Sequence, residues 1–373
     1  MFSSRNRAGS TRLAGLVTAS ALVLALLASP AAAFPDSTNN CNDSTLSWHF
    51  NSDSLWTSEK KTWVRAGFNT IDNALDDDGT KLVTLTEVTS GGISVDLQYL
   101  PASTTNGSSE CDLGDADIWI NSKFTEAKTY YHVARHEMLH LAGAEHGGQN
   151  DSRNGDTPST MATCFYVSTA RSINSLDQDS AQYLQYLHGT LSSGYRDITA
   201  NLGFEQGTSF WGVSGGTLNV YTPGGATGTT QAGFFPDEDD LEPYTFQTTR
   251  TWTGSETGVR YRVVMNAKRS APDLSTEGEA QLYWRELSDG ASNGCSYPDG
   301  IDDPNTPPLT LTTSWSKKAS TDLVTQGNSW LTSSSPWYTM SSPHDGHELQ
   351  VRIRALVEGN HSIRLDNVRI QRG

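Results

Sequence analysis

The sequence predicts two joined folds, an α+β domain followed by an all-β sandwich. Helix-period apolar positions in 54–75 and again in 176–187 bracket the strand-like run "ISVDLQYL". Beyond about residue 195 the pattern changes to short alternating runs separated by Gly, Pro, Ser and Asp. The chain, at 373 residues, also exceeds one ordinary domain.

Residues 1–33 carry Arg5, Arg7 and Arg12, an apolar run over 13–28, and then "SPAAA". That order reads as a signal peptide cleaved near Ala33, so the mature chain is expected to be secreted and extracellular. The alternative, a membrane anchor, needs about 20 apolar residues, and this run is shorter. The formal charge of −16 becomes more negative once those arginines leave. An acidic surface of this kind argues against nucleic acid or an anionic membrane as partner.

The first domain is expected over 34–190. Val64, Phe68, Ile71 and Leu75 share one face of a helix that "DDDGT" ends. Ile93, Val95, Leu97 and Tyr99 alternate as a strand with one buried face. "PASTTNGSSE" reads as a loop and "ADIWIN" as a short strand. Ser175 and Gln178 form a capping box before a helix bearing Leu176, Tyr183, Leu184 and Leu187. Residues 191–200 read as a linker and 201–373 as the sandwich. Its inward positions include Val259, Tyr261 and Val263, then Leu349, Val351 and Ile353.

"HEMLHLAGAEH", from His136 to His146, carries the chemistry. His136 and His140 stand one helical turn apart and project from one face, so two imidazoles converge. Gly143 can take the positive φ that ends the helix and brings His146 back. Three neutral imidazoles with an open fourth position make a catalytic zinc site. Glu137 points about 100° away around the helix and is placed to act as general base on water, and then as acid to a leaving amine. The competing reading is a His-rich surface helix, and the motif's spacing disfavours it.

With these residues the chain resembles the metzincin metallopeptidases, and among them the matrixin branch. "PSTMATC" places Met161 where those enzymes have a methionine turn, and "GAEH", "ADIWIN" and "SLDQDSAQYLQYLHG" are similar to matrixin segments. Leu139, Gly147 and Thr163 depart from the usual pattern, and neither a cysteine-switch propeptide nor a second zinc loop is visible. The resemblance implies a catalytic domain with a twisted sheet plus three main helices, one catalytic Zn2+ and protein or peptide substrates. It implies that substrate lies along an edge strand formed by Ala116, Asp117, Ile118, Trp119, Ile120 and Asn121.

"NLGFEQGTSFWG" and "IRLDNVRIQ" resemble the first and last strands of jelly-roll carbohydrate-binding and galactose-binding-like modules. That likeness implies a structural Ca2+ at Glu205 and Asp366, with polysaccharide or a cell-surface glycan as partner. Trp284, Trp315, Trp330, Trp337 and Tyr338 are either sugar platforms or, for several of them, core. Asp151 and Asp156 are further oxygen donors, with plain solvation as the alternative. Cys41, Cys111, Cys164 and Cys295 are disulfide candidates in an exported chain, and pairing of all four requires one bridge between domains. The leading expectation is a secreted zinc metalloendopeptidase, and the alternative is a glycan-binding protein with a vestigial protease domain.

Overall fold

The computed structural model describes residues 43–103, 106–112, 115–144, 160–161, 176–191, 194–226, 230–237, 243–251, 258–269, 276–286, 314–323, 329–340, 347–357 and 362–373. The signal segment 1–33, His146, Asp151, Asp156, Cys41, Cys164 and Cys295 lie outside them.

The first half is a mixed sheet covered by helices. Its strands are β1 (Thr45–Phe50), β2 (Thr84–Glu87), β3 (Ile93–Gln98), β4 (Gly107–Asp112) and β5 (Asp115–Asn121). They run in the order β2-β1-β3-β5-β4, and only β4 is antiparallel to its neighbour. Helices α1 (Ser58–Asp72), α2 (Ala127–Leu141) and α3 (Gln178–His188) complete it. Thr57 caps α1, accepting from the Lys60 N–H at 3.2 Å. Val64, Phe68 and Ile71 of α1 are buried, as are Ile93, Val95 and Leu97 of β3. Tyr99 is 64 % exposed, because β3 stops at Gln98.

The second half is an antiparallel sandwich. One sheet has the order β13-β12-β16-β10-β7, from Ser316–Asp322, Thr276–Glu286, His347–Val357, Tyr244–Thr251 and Gly212–Ser214. The other runs β14-β11-β17-β9-β8, from Leu331–Ser334, Arg260–Arg269, Ile363–Arg372, Gln231–Pro236 and Gly216–Tyr221. β15 (Tyr338–Thr339) pairs with β11, and β6 (Arg196–Asp197) pairs with β17. Val259, Tyr261, Val263, Leu349, Val351 and Ile353 all point into the core. This is the all-β sandwich that alternation predicts, with the jelly-roll-like sheets that the resemblance implies.

Several boundaries differ from the sequence reading, each for a local reason. Part of "PASTTNGSSE" is strand, since Gly107–Glu110 opens β4. A polar edge strand lacks the apolar alternation by which strands are recognised. Residues Ala116–Asn121 are therefore not an edge: β5 lies between β3 and β4, with Ile118 and Ile120 fully buried. Asp117 is exposed and Trp119 half-buried, and Asn121 bonds Leu100 through both side-chain atoms. The N-cap of α3 is Asp177, which accepts from the Ser180 N–H at 3.0 Å, and the expected capping residue Ser175 lies outside the described residues. "NLGFEQGTSFWG" is a compact turn rather than a strand, with Asn201, Phe204 and Phe210 at positive φ. Asn201 holds it by donating to the Gly207 and Ser209 carbonyls.

The expected linker 191–200 is also structured, at least from 194 onward. β6 joins the sandwich, and Ile198, Thr199 and Ala200 are buried. Gln247 binds the Ala200 amide and carbonyl, each at 2.8 Å, and accepts from Gln182 of α3 at 2.9 Å. Arg372 donates to the Tyr186 hydroxyl at 3.2 Å, and Arg369 pairs with buried Asp197 at 3.3 Å. Truncating Gln247 to alanine strands these buried groups, each costing about 1–3 kcal/mol. We expect Gln247→Ala to lower the thermal midpoint by several degrees, measured by calorimetry; an unchanged midpoint would show that the contact is idle.

Candidate metal centre

Helix α2 places His136, Glu137 and His140 together, and their candidate ligand atoms all lie within 4.8 Å of one another. The two imidazole rings are 4.8 Å apart and nearly perpendicular. The His136 Nδ1 lies 2.7 Å from the Thr160 carbonyl, and the His140 Nδ1 lies 2.7 Å from the Ala144 carbonyl. A carbonyl only accepts, so each Nδ1 carries the hydrogen and each neutral ring keeps its lone pair on Nε2. Fixing the tautomer through the other ring nitrogen is how metal-binding histidines are oriented. The donor set fits zinc.

The end of α2 follows its sequence. Gly143 has φ +92°, a conformation open to a residue without Cβ, and its N–H donates to the His140 carbonyl at 3.0 Å. Ala144 then donates to the Leu139 carbonyl at 2.9 Å. From α3, His188 donates through Nε2 to the Ala142 carbonyl at 2.8 Å, tying down the same turn. Burial holds the His188 imidazole below its ordinary pKa.

Glu137 is 6 % exposed. Burial pushes its carboxyl up to about 7, opposed by a hydrogen bond from the Ser109 hydroxyl to Oε2 at 3.1 Å. Ser109 lies on β4, so the edge strand itself touches the carboxylate. Gly107 of the same strand lets the backbone approach α2. A Cβ there would meet Val133 Cγ1 at 2.5 Å and Glu137 Oε1 at 3.0 Å.

Thr160 and Met161 are buried beside this cluster. The Thr160 N–H donates to Asp177 Oδ2 at 3.0 Å, while the Thr160 carbonyl receives His136. Asp177 thus caps α3 and positions the loop that orients a candidate ligand. Sequence reading missed Ser109, Thr160 and Asp177, because hydrogen bonds between distant segments leave no spacing signal. Cys111 has its backbone on β4.

A second acidic group, Asp76, Asp77 and Asp78, is met by protein donors. Asp76 accepts from Gln185 and from the Asp77 and Thr190 amides, all at 2.8 Å. It fastens the turn after α1 to α3.

Glu205 and Asp366 bond two residues close in the chain, Thr230 and Ala226. Glu205 accepts from the Thr230 N–H at 3.0 Å and hydroxyl at 2.9 Å; Asp366 accepts from the Ala226 N–H. Of the five aromatics, none is in the fully buried class. Each has a cation over its ring: Lys318 over Trp284 and Tyr338, Arg285 over Trp315, Lys268 over Trp330 and Arg262 over Trp337. Among the described residues no helix is long and apolar enough to cross a membrane.

No family model and no curated protein matches the chain. Solved structures do. The carbohydrate-binding module TmCBM61 in complex with β-1,4-galactotriose is 17 % identical over 48 % of this chain and 99 % of its own, with a TM-score of 0.30. The CBM22-1–GH10 modules of a Clostridium thermocellum xylanase, complexed with xylohexaose, are 15 % identical. That match covers 46 % of this chain and 28 % of the other, with a TM-score of 0.30. A Stig cyclase from Fischerella sp. TAU is 12 % identical over 46 % of this chain and 94 % of its own, with a TM-score of 0.32. These neighbours include carbohydrate-binding modules.

Proposed function

We propose that the protein is a secreted zinc-dependent endopeptidase of metzincin, matrixin-like type. The single observation behind this reading is the pairing of two histidines, whose Nδ1 atoms are both anchored to carbonyls, with a buried carboxylate on the same helix. His136 and His140 would hold the ion through Nε2, with His146 as third ligand and Met161 as the apolar floor. Bound zinc supplies a Lewis acid for the scissile carbonyl and lowers the pKa of water. Glu137 takes the proton of the attacking water and returns it to the leaving amine. Ser109 holds Oε2, leaving Oε1 to carry the proton. An extended peptide adds to the open edge of β4, whose only strand partner among the described residues is β5. Glu205 and Asp366 are the calcium candidates, two carboxylates that bond residues close in the chain, Thr230 and Ala226.

Metal analysis of the mature chain is expected to find one zinc per molecule, and His136→Ala to lose most of it. A full zinc complement in that variant removes the assignment.

A second reading, glycan binding by the sandwich, is favoured by one face of the five-stranded sheet. Arg352 lies 3.9 Å from the ring centre of Tyr283 and 4.7 Å from that of Tyr244, with Trp315 5.6 Å away. Aromatic rings around a polar centre suit a polysaccharide or cell-surface glycan. Both readings fit one molecule, with the sandwich holding the enzyme near its substrate.

A further inference from the structure

The other sheet of the sandwich carries a cleft of about 670 Å³ that includes Tyr221, Thr222, Gln231, Lys268 and Arg364. That size is ordinary for a small-molecule site. Its floor is set by strand register. Tyr221 of β8 faces Gln231 of β9, while Arg364 of β17 faces Lys268 of β11 on one side and Gly233 of β9 on the other. Gly233 leaves room for the guanidinium, since a Cβ there would meet Arg364 Nη1 at 2.8 Å and the Tyr221 ring at 3.0 Å.

Two cations thus stand side by side with no carboxylate paired to either among the described residues. Arg364 lies over the Tyr221 ring at 3.8 Å, and its buried Nη1 has no hydrogen-bond partner. Lys268 sits 4.4 Å from the Trp330 ring centre, and its Nζ donates to the Gly224 carbonyl at 3.2 Å. Burial and the neighbouring Arg364 lower the Lys268 pKa, opposed by the Asp366 carboxylate. Gln231 is 9 % exposed, and its Oε1 also lacks a donor. An acidic chain therefore holds a compact positive spot, offset only in part by Asp366, beside an unused acceptor and an aromatic ring. A ligand that suits it carries a single negative charge, hydroxyl donors and an apolar ring face. A polyanion fits poorly, because the remaining surface would repel it.

We propose that this cleft binds a uronate, the carboxylate meeting Arg364 and Lys268 while ring hydroxyls meet Gln231. The site goes beyond the glycan reading above, because it lies on the opposite sheet from Arg352.

Titration of the full mature chain by ligand-detected NMR, with glucuronate, glucose and acetate as probes, tests this. Glucuronate should bind at least tenfold more tightly than either other probe. Arg364→Gln and Lys268→Gln should each weaken it tenfold or more, as loss of a charge-assisted bond predicts, with the thermal midpoint of the Lys268 variant unchanged. Arg352→Gln should leave glucuronate binding intact. Equal binding of acetate overturns the saccharide assignment, and equal binding of glucose overturns the charge assignment. Wild-type affinity in both cleft variants, or loss confined to Arg352→Gln, overturns the site.

Discussion

Glu137→Gln is expected to retain zinc and the thermal midpoint while losing at least about 10³-fold in kcat on a quenched peptide. Glutamine keeps the volume of the carboxylate and can still accept from Ser109, so the contact with β4 survives. It cannot take a proton at Oε1. A general acid–base group contributes about 10²–10⁴-fold, and one used in both proton transfers belongs at the upper end. Residual turnover is expected, since a zinc held by His136 and His140 would still supply a Lewis acid. A variant that keeps its zinc and cleaves within tenfold of the parent would exclude Glu137 as the base. Loss of zinc together with activity would instead make Glu137 a ligand.

Ending the chain at residue 191 is expected to abolish cooperative folding of the first half. The buried apolar side chains form one contiguous cluster running from Trp48 to Ile370. Gln182 and Gln185 of α3 are 1 % exposed, and the partners of Gln182 are Gln247 and the Thr248 carbonyl in the sandwich. Without those partners α3 presents unpaired amides and bare apolar surface to water, and buried polar groups left unsatisfied cost about 1–3 kcal/mol each. Loss of α3 in turn frees Asp177, Thr160 and the anchor of His136. Circular dichroism melting of the truncated chain measures this. A sharp transition within a few degrees of the parent would show that the halves fold independently.

The helix that carries His136, Glu137 and His140 was legible because its signal is local, with residue type, one-turn spacing and a terminating glycine all inside one short segment. The core alternation of β3, β11 and β16 was legible for the same reason. The edge of the sheet was not. β4 is polar and contains Gly107, so it resembles a loop until the close approach to Val133 explains the glycine. β5, more apolar and easier to recognise, is the edge only by family resemblance, and its buried apolar side chains mark an inner strand. The linker failed similarly, since "YRDITAN" is too short and polar to announce that β17 would pair with it. Ser109, Thr160 and Asp177 became visible only when distant segments were brought together.

The pairing of β6 with β17 also has a kinetic meaning. Arg196 and Asp197 meet Arg372 and Gln371, so the strand that closes over α3 is synthesised long after α3 itself. Contacts of such sequence separation form late, after loop-closure entropy has been overcome. The turn that orients His136 therefore waits on the far end of the sandwich. A chain whose last strand is not yet made carries the whole His136–His146 segment yet lacks β17, the partner that fixes β6 beside α3.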